Sequence, residues 1–462
     1  MSTVPSVEAE LAGINIGDKR LDRRAVVIAK RIEANPKSSF PKMVGDDSEL
    51  EGLYRFFQNE SVEPDALLEP HRVATKSRCE SLSLVRVSHD TTGLKFRGNR
   101  EGIGLLGRRG TGFYAHVSLA IGDGEEREPL GVLGCETFVR TLETRRPTPS
   151  AQVARTRTTP REKKESARWL AGVRTAEELQ LGVPIIHVMD QEADDFALFA
   201  ELMAIKARFV IRGSADRRLV PSEPENVRDE LDARKSKLLR TIALVEKVDA
   251  HSNDVLRGER TAELRVRGVQ LTLERPKHAQ SKVKSLTLNV VQVFEPNPPK
   301  GEEAIEWTLY TTEAIDTVEE MAAVVDHYRA RWRAEELFKA LKTGCSFEER
   351  QLTDYDALVR ALALFMPVAW QLLALRVLSR LSNPPKASVL FSDEDVAVVR
   401  WLAEQRRRPL PSKPTVRDIM LAIAAVGGHL KRNGDPGWIT IGRGYQDFLL
   451  ARRTWSAAKA EM

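Results

Sequence analysis

Residues Tyr328 to Lys342 read YRARWRAEELFKALK, and their spacing sets how the rest of the chain is understood. At about 100° per residue the pattern predicts one long helix on which Tyr328, Arg331, Glu335, Lys339 and Lys342 share a sector of about 80°. Ala330, Ala334, Leu337, Phe338 and Leu341 form the adjoining apolar stripe. Such a helix packs on a core and presents a carboxylate among cations. Taken alone, its ordinary meaning is a row of surface i,i+4 ion pairs, each worth about a few tenths of a kcal/mol.

Two aspartates change that meaning. Leu82 to Asp90 (LSLVRVSHD) and Pro184 to Asp190 (PIIHVMD) are apolar runs that predict strands, each ending on a carboxylate that can project from the sheet edge into a cleft. A lone aspartate in that place is ordinarily a turn former or a helix cap. Asp90, Asp190 and Glu335 together offer hard oxygen ligands to a pair of Mg²⁺ ions about 3.5 to 4 Å apart, one activating an attacking oxygen and the other stabilising the leaving oxygen of a phosphodiester. His89 and His187 stand close in sequence, but strand alternation turns His89 away from Asp90, and hard cations prefer oxygen.

Working outward, the region before residue 80 predicts basic helices. Asp18 to Lys30 and Glu49 to Phe57 carry helical apolar spacing, with Lys19, Arg20, Arg23, Arg24, Lys30 and Arg31 clustered between them. The cluster is either a solvated face or a small DNA-contacting module. Phe113 to Ile121 and Leu130 to Arg140 predict two more strands, so Leu82 onward forms an antiparallel meander. Arg145 to Lys164 sets seven basic residues against one acidic residue and predicts an exposed loop. Glu165 to Leu181 predicts a helix, residues up to Ala204 another, and Arg208 to Arg212 a strand, an order that suits a mixed sheet with helices on its faces. Residues 235 to 298 alternate like strands and form a β-rich insertion, Trp307 to Thr312 resumes the sheet, and the chain is mostly helical from Val318 on. Gly102 to Gly112 is glycine-dense without a P-loop lysine and predicts a flexible loop that could touch DNA through Arg108 and Arg109.

With these residues in place, the chain resembles the DDE transposases of bacterial insertion sequences, specifically the IS-four family and its Tn-five-type enzymes. The family's Y-x2-R-x3-E-x6-K pattern is met by Tyr328, Arg331, Glu335 and Lys342, and YRARWRAEELFKALKTG is similar over seventeen residues. Asp90 in SHDTTGL resembles the family's first catalytic aspartate and Asp190 in VMDQEAD its second, with Gln191 where the family often carries arginine. GDKRLDRR and EGLYRFFQN extend the likeness into the N-terminal part, whereas the last hundred residues match in helical character alone.

The resemblance implies an α/β fold: a ribonuclease-H-like mixed-sheet catalytic core at 81–365 with a β-rich insertion at 235–300. An N-terminal helical DNA-binding domain at 1–80 and a C-terminal helical domain at 366–462, serving dimerisation, would flank it. It implies Asp90, Asp190 and Glu335 as catalytic ligands of two Mg²⁺ ions, with Mn²⁺ able to substitute. Transposon ends would be nicked, closed as hairpins, reopened and joined to target DNA. Tyr328, Arg331 and Lys342 would contact phosphates, Trp307 would hold an unstacked base or else sit in the core, and Arg212 would contact DNA or end its strand in a salt bridge. Lys339, Lys19 and Arg20 complete the DNA-binding set. The partners implied are double-stranded transposon-end and target DNA and a second copy of the chain in the synaptic complex. A catalytically silent DNA-binding relative and a stand-alone nuclease on the same core are the competing readings.

Composition narrows the class from the other side. The chain has 462 residues, 42% apolar and 30% charged, enough for about three globular domains. A net charge of +5 is too small to prove an acidic partner, so the placement of charge matters more than its sum. Cys79, Cys135 and Cys345 are far apart and fall in no CxxC arrangement, which supports neither a disulfide framework nor a zinc site and suits a reducing, cytoplasmic compartment. No basic start precedes an apolar run, and no eighteen consecutive apolar residues occur, so secretion and membrane spanning are not expected.

Overall fold

The N-terminal helices are begun by aspartates. In a computed structural model, the Asp18 carboxylate accepts from the Arg20 N–H at 2.8 Å and the Asp46 carboxylate from the Glu49 N–H at 2.8 Å, each satisfying a donor that the first helical turn leaves open. The structure describes residues 4–107, 110–140, 166–220, 225–244, 247–248, 255–430, 432 and 434–460. Arg108, Arg109 and the basic segment from Arg145 to Lys164 lie outside the described residues. The first helices are α1 (Val7–Glu10), α2 (Lys19–Ala34), α3 (Phe40–Met43), α4 (Asp47–Gln58) and α5 (Pro64–Cys79). Ile28, Ile32, Leu53, Phe56 and Phe57 fill one core with residues of the long helix Tyr355–Ser379, so the two regions are packed together.

Next come β1 (Val85–Phe96), β2 (Gly104–Leu105), β3 (Thr111–Gly122), β4 (Pro129–Phe138), α6 (Ala167–Glu178), β5 (Ile185–Met189), α7 (Phe196–Ala204), β6 (Arg208–Arg212) and α8 (Val227–Ala233). The strands β7 (Lys237–Leu244), β8 (Lys247–Val248), β9 (Val255–Arg257), β10 (Arg260–Glu274), β11 (Ser285–Phe294) and β12 (Glu306–Thr311) follow. Among the described residues one ten-stranded sheet runs β2-β3-β1-β5-β6-β12-β11-β10-β7, with β4 also on β3. Its β4-β3-β1-β5-β6 half is an antiparallel meander continued by two parallel strands, the ribonuclease-H-like core. The 235–298 region adds β11, β10 and β7 to the same sheet through β12, which pairs antiparallel with β6. α6, α7 and α8 cover one face, where Trp169, Phe199, Phe209 and Tyr310 are buried.

The sequence places Asp90 at the end of its strand, and the structure corrects this. β1 continues to Phe96 because Thr91 to Phe96 remain paired with His116 to Thr111 of β3. Pairing with β5 stops at Ser88 opposite Val188. Extending that register by two residues sets Asp90 level with Asp190, at the C-terminal edge of the parallel half.

The single long helix expected from Tyr328 to Lys342 is also corrected. α9 (Val318–Arg329) ends two residues before α10 (Trp332–Lys339) begins, and a π-turn at Ala340–Gly344 follows. At the joint Ala330, Arg331, Arg333 and Ala334 donate their N–H groups to carbonyls three residues back, which tightens the turn without proline or glycine. The expected apolar stripe of Ala330, Ala334, Leu337, Phe338 and Leu341 is buried throughout.

The rest is helical: α11 (Tyr355–Ser379), α12 (Asp393–Gln405), α13 (Val416–Val426) and α14 (Trp438–Ala460). Position 366 falls inside α11, beside Pro367. Among the described residues α11 is long and apolar enough to cross a membrane by length and composition, but 83% of its most apolar window is buried inside the fold. It is the helix that joins the N-terminal and C-terminal cores.

Candidate active site

Three elements converge where β1 and β5 stop pairing. Asp90 comes from β1, Asp190 follows β5 and caps the short turn Gln191–Ala193, and Glu335 lies on α10. Asp190 thus also acts as the helix cap that a lone strand-end aspartate ordinarily is, accepting from the Glu192 N–H at 2.8 Å. The α9–α10 joint delivers Arg331 between the carboxylates. Its Nη1 donates to Asp90 Oδ2 at 2.7 Å and its Nη2 to Glu335 Oε1 at 2.6 Å.

Asp90 is 7% exposed. Burial, with Asp190 and Glu335 nearby, pushes its pKa up to about 7 against the pull of Arg331 and the Thr91 N–H. Burial works against the charge on Arg331, but Asp90, Tyr328 and Glu335 outweigh it and raise its pKa. The site is therefore a crowd of negative charge held by one guanidinium.

Tyr328, 5% exposed, packs edge-on to the Trp307 ring at 5.2 Å between centroids, and its ring lies 6.0 Å from the Arg331 guanidinium carbon. Burial raises the Tyr328 pKa, opposed by Arg331 and by Arg212 at the end of β6. Trp307 is half-buried against the apolar cluster under α9. Five of the expected residues besides the aspartates, Tyr328, Arg331, Glu335, Trp307 and Arg212, thus belong to one neighbourhood.

Of the two lysines placed on the same sector by sequence, Lys339 keeps its place on α10 four residues beyond Glu335, and Lys342 leaves that helix. Lys339 lies 5.1 Å from the Trp332 ring centroid, and Lys342 is carried onto the π-turn, where burial lowers its pKa and Glu348 opposes that shift. The π-turn after Lys339 removes the continuous helical phase that would have aligned Lys342 with Glu335. Lys19 and Arg20 lie at the start of α2 with side chains 88% and 84% exposed, paired with Asp22 and Asp18. His89 faces away from Asp90, its Nε2 2.9 Å from His187 Nδ1 and its Nδ1 2.9 Å from Ser118 Oγ. Cys79, Cys135 and Cys345 are free thiols.

Carboxylates gathered round an arginine where β1 and β5 part, on a ribonuclease-H-like sheet, suit the class of enzymes that process phosphodiesters. Residues 5–62 match the transposase DNA-binding family and residues 151–366 the transposase DDE domain. The chain belongs to the DDE transposases and is a DNA transposase. The DDE match encloses Asp190 and Glu335; Asp90 lies upstream and joins them through the sheet register. A solved structure similar to this chain, the cryo-EM structure of a piggyBac transposase synaptic complex with hairpin DNA, covers 86% of each chain at 10% identity and a TM-score of 0.36.

DDE domains work with divalent metal ions. The donor chemistry here fits such an ion, because hard carboxylate oxygens are crowded until one of them, Asp90, resists ionisation. Among the described residues no three His, Cys, Asp or Glu side chains are yet gathered closely enough to hold a metal ion. Arg331 fills the space between Asp90 and Glu335.

Proposed function

We propose that the chain is an insertion-sequence transposase of the IS-four family, Tn-five type, that moves its element by cut-and-paste. The reading rests on one observation above others: Arg331 ties Glu335 of α10 to Asp90 of β1, level with Asp190 beyond β5. Asp90, Asp190 and Glu335 would hold two Mg²⁺ ions, for which Mn²⁺ would substitute. Bound there, the ions would activate the attacking oxygen and stabilise the leaving oxygen of an in-line displacement at phosphorus.

The chain's own residues do the rest. Arg331 exchanges a carboxylate for a phosphate oxygen when DNA enters, since a guanidinium fork binds either anion with two parallel hydrogen bonds. Tyr328, buried with a raised pKa, stays a neutral hydroxyl that can donate to a phosphate. Trp307 offers an indole to a base expelled by the sharp bend of a hairpin, with Arg212 on the adjoining backbone. Lys339 and Lys342 reach flanking phosphates, and Lys19 and Arg20 give the N-terminal module its exposed charge. Two copies synapse paired ends, with the C-terminal helices as the dimer surface.

The test is cleavage and joining of a cognate end in Mg²⁺ with a target plasmid present. Wild type should cut and join, and Asp90→Ala, Asp190→Ala and Glu335→Ala should each lose both activities. Full activity in any of the three variants overturns the site. Cutting without joining assigns a nuclease, and binding without cutting assigns a silent relative.

A further inference from the structure

Behind the two aspartates, on the opposite face of β1, one arginine reaches both of their supports. Arg168, at the start of α6 and 8% exposed, donates from Nε to Thr91 Oγ1 at 3.0 Å and from Nη2 to Glu192 Oε2 at 2.8 Å. Thr91 and Glu192 are the residues whose backbone N–H groups hold the carboxylates. The Thr91 N–H donates to Asp90 Oδ1 and the Glu192 N–H to Asp190 Oδ1, each at 2.8 Å. Thr91 Oγ1 also lies 2.9 Å from His116 Nδ1, which anchors the hydroxyl to β3. α6 can come this close because Gly172 has no side chain; a Cβ there would lie 2.9 Å from His89 Nδ1 and 3.2 Å from His116 Nε2.

We propose that Arg168 is a positioning residue that fixes Asp90 and Asp190 relative to each other. β1 and β5 are no longer paired beyond Ser88 and Val188, so the sheet does not hold the two carboxylates at their own level. The guanidinium supplies the missing cross-link, and its planar fork, unlike a lysine ammonium, serves both partners in a fixed geometry. Groups that orient metal-binding side chains in this way typically change cation affinity or activity by about 10- to 100-fold when removed. The inference rests on the reading of Asp90 and Asp190 as cation ligands.

The full-length Arg168→Ala variant tests it with three readouts. Amide exchange, followed by mass spectrometry, should quicken about tenfold or more in peptides containing Thr91 and Glu192 and remain as in wild type in α2 and α14. The Mn²⁺ concentration giving half of the cation-induced thermal shift should rise about tenfold. Affinity for end DNA should be unchanged, and the loss in single-turnover cleavage should shrink as Mg²⁺ is raised. Arg168→Lys, able to serve one partner, should fall between Ala and wild type.

Unchanged exchange at either segment, or cleavage lost in proportion to DNA affinity, overturns the proposal. If Arg168→Ala does not fold, Glu192→Gln removes one arm at a side chain 61% exposed. It should quicken exchange at residues 191–193 and weaken Mn²⁺ binding, and behaviour equal to wild type overturns the clamp. Failure of the wider reading looks different: wild type would neither cut DNA nor gain stability with Mn²⁺, while the exchange comparison would still decide the role of Arg168.

Discussion

Arg331 has the largest consequence of any single residue. It neutralises a carboxylate cluster that would otherwise repel itself, and it is itself held by two short charge-assisted hydrogen bonds. Arg331→Ala takes the charge partner from buried Asp90 and half-buried Glu335 and should destabilise the DNA-free protein by about 3 kcal/mol at pH 8, measured by chemical denaturation. The same change should tighten Mn²⁺ binding in the absence of DNA, because the competing cation is gone. Asp90 gives the opposite sign. Its pKa is about 7 in the folded chain against roughly 3.9 when unfolded, so the folded state binds its proton more tightly and stability falls as pH rises between those values. Asp90→Asn should therefore raise stability at pH 8 by about 2 kcal/mol and change it little at pH 4, as read from thermal melts at both pH values. A variant that inactivates while stabilising would mark Asp90 as a group kept at the expense of the fold.

At the scale of elements, local pattern was legible where the elements make their own contacts. The helices of the N-terminal part, the strands of the meander and the apolar stripe of α10 follow from spacing and from β-branched runs. What escaped was decided elsewhere in the chain. Thr91 to Phe96 extend β1 because β3 is there to pair with them, and α9 breaks from α10 where Arg331 must turn toward Asp90. Tyr328, Arg331 and Glu335 stay neighbours because Arg331, at the joint, donates to Glu335 and lies 6.0 Å from the Tyr328 ring, whereas Lys342 is carried onto the π-turn beyond α10. Arg168 could not be read at all, since its partners lie 77 and 24 residues away. The C-terminal helices give a separate prediction. A Cβ at Gly444 would come 1.7 Å from Ile423 O, so α13 and α14 meet backbone to backbone. Gly444→Ala should cost about 3 kcal/mol by overpacking, seen as a lower midpoint in thermal unfolding.

For the whole molecule, the net charge of +5 says little because it is a sum over many local groupings of both signs. Lys19 and Arg20 are exposed on the N-terminal module, each beside an aspartate, while Asp90, Asp190 and Glu335 gather near Arg331 at the end of the β1–β5 pairing. Binding and chemistry should therefore separate by mutation. Replacing both Lys19 and Arg20 by alanine should weaken end binding at low salt and reduce the slope of log K against log salt by about 2, leaving cleavage of bound DNA intact. Rearrangement of the module on the core is limited by a buried contact in which Glu10 of α1 accepts from His71 and Arg78 of α5 and Arg78 lies over Trp370 of α11.

Asp90, Asp190 and Glu335 are proposed to act as one cation-dependent site on DNA. It is tested by single-turnover cleavage, in Mg²⁺, of an end-labelled duplex carrying a cognate transposon end, with wild type and Asp190→Asn compared at saturating DNA. Wild type should cut at the transposon end, and Asp190→Asn should bind the duplex equally well yet cut it at least about a thousandfold more slowly. Cleavage by Asp190→Asn at the wild-type rate would show that Asp190 has no part in the chemistry.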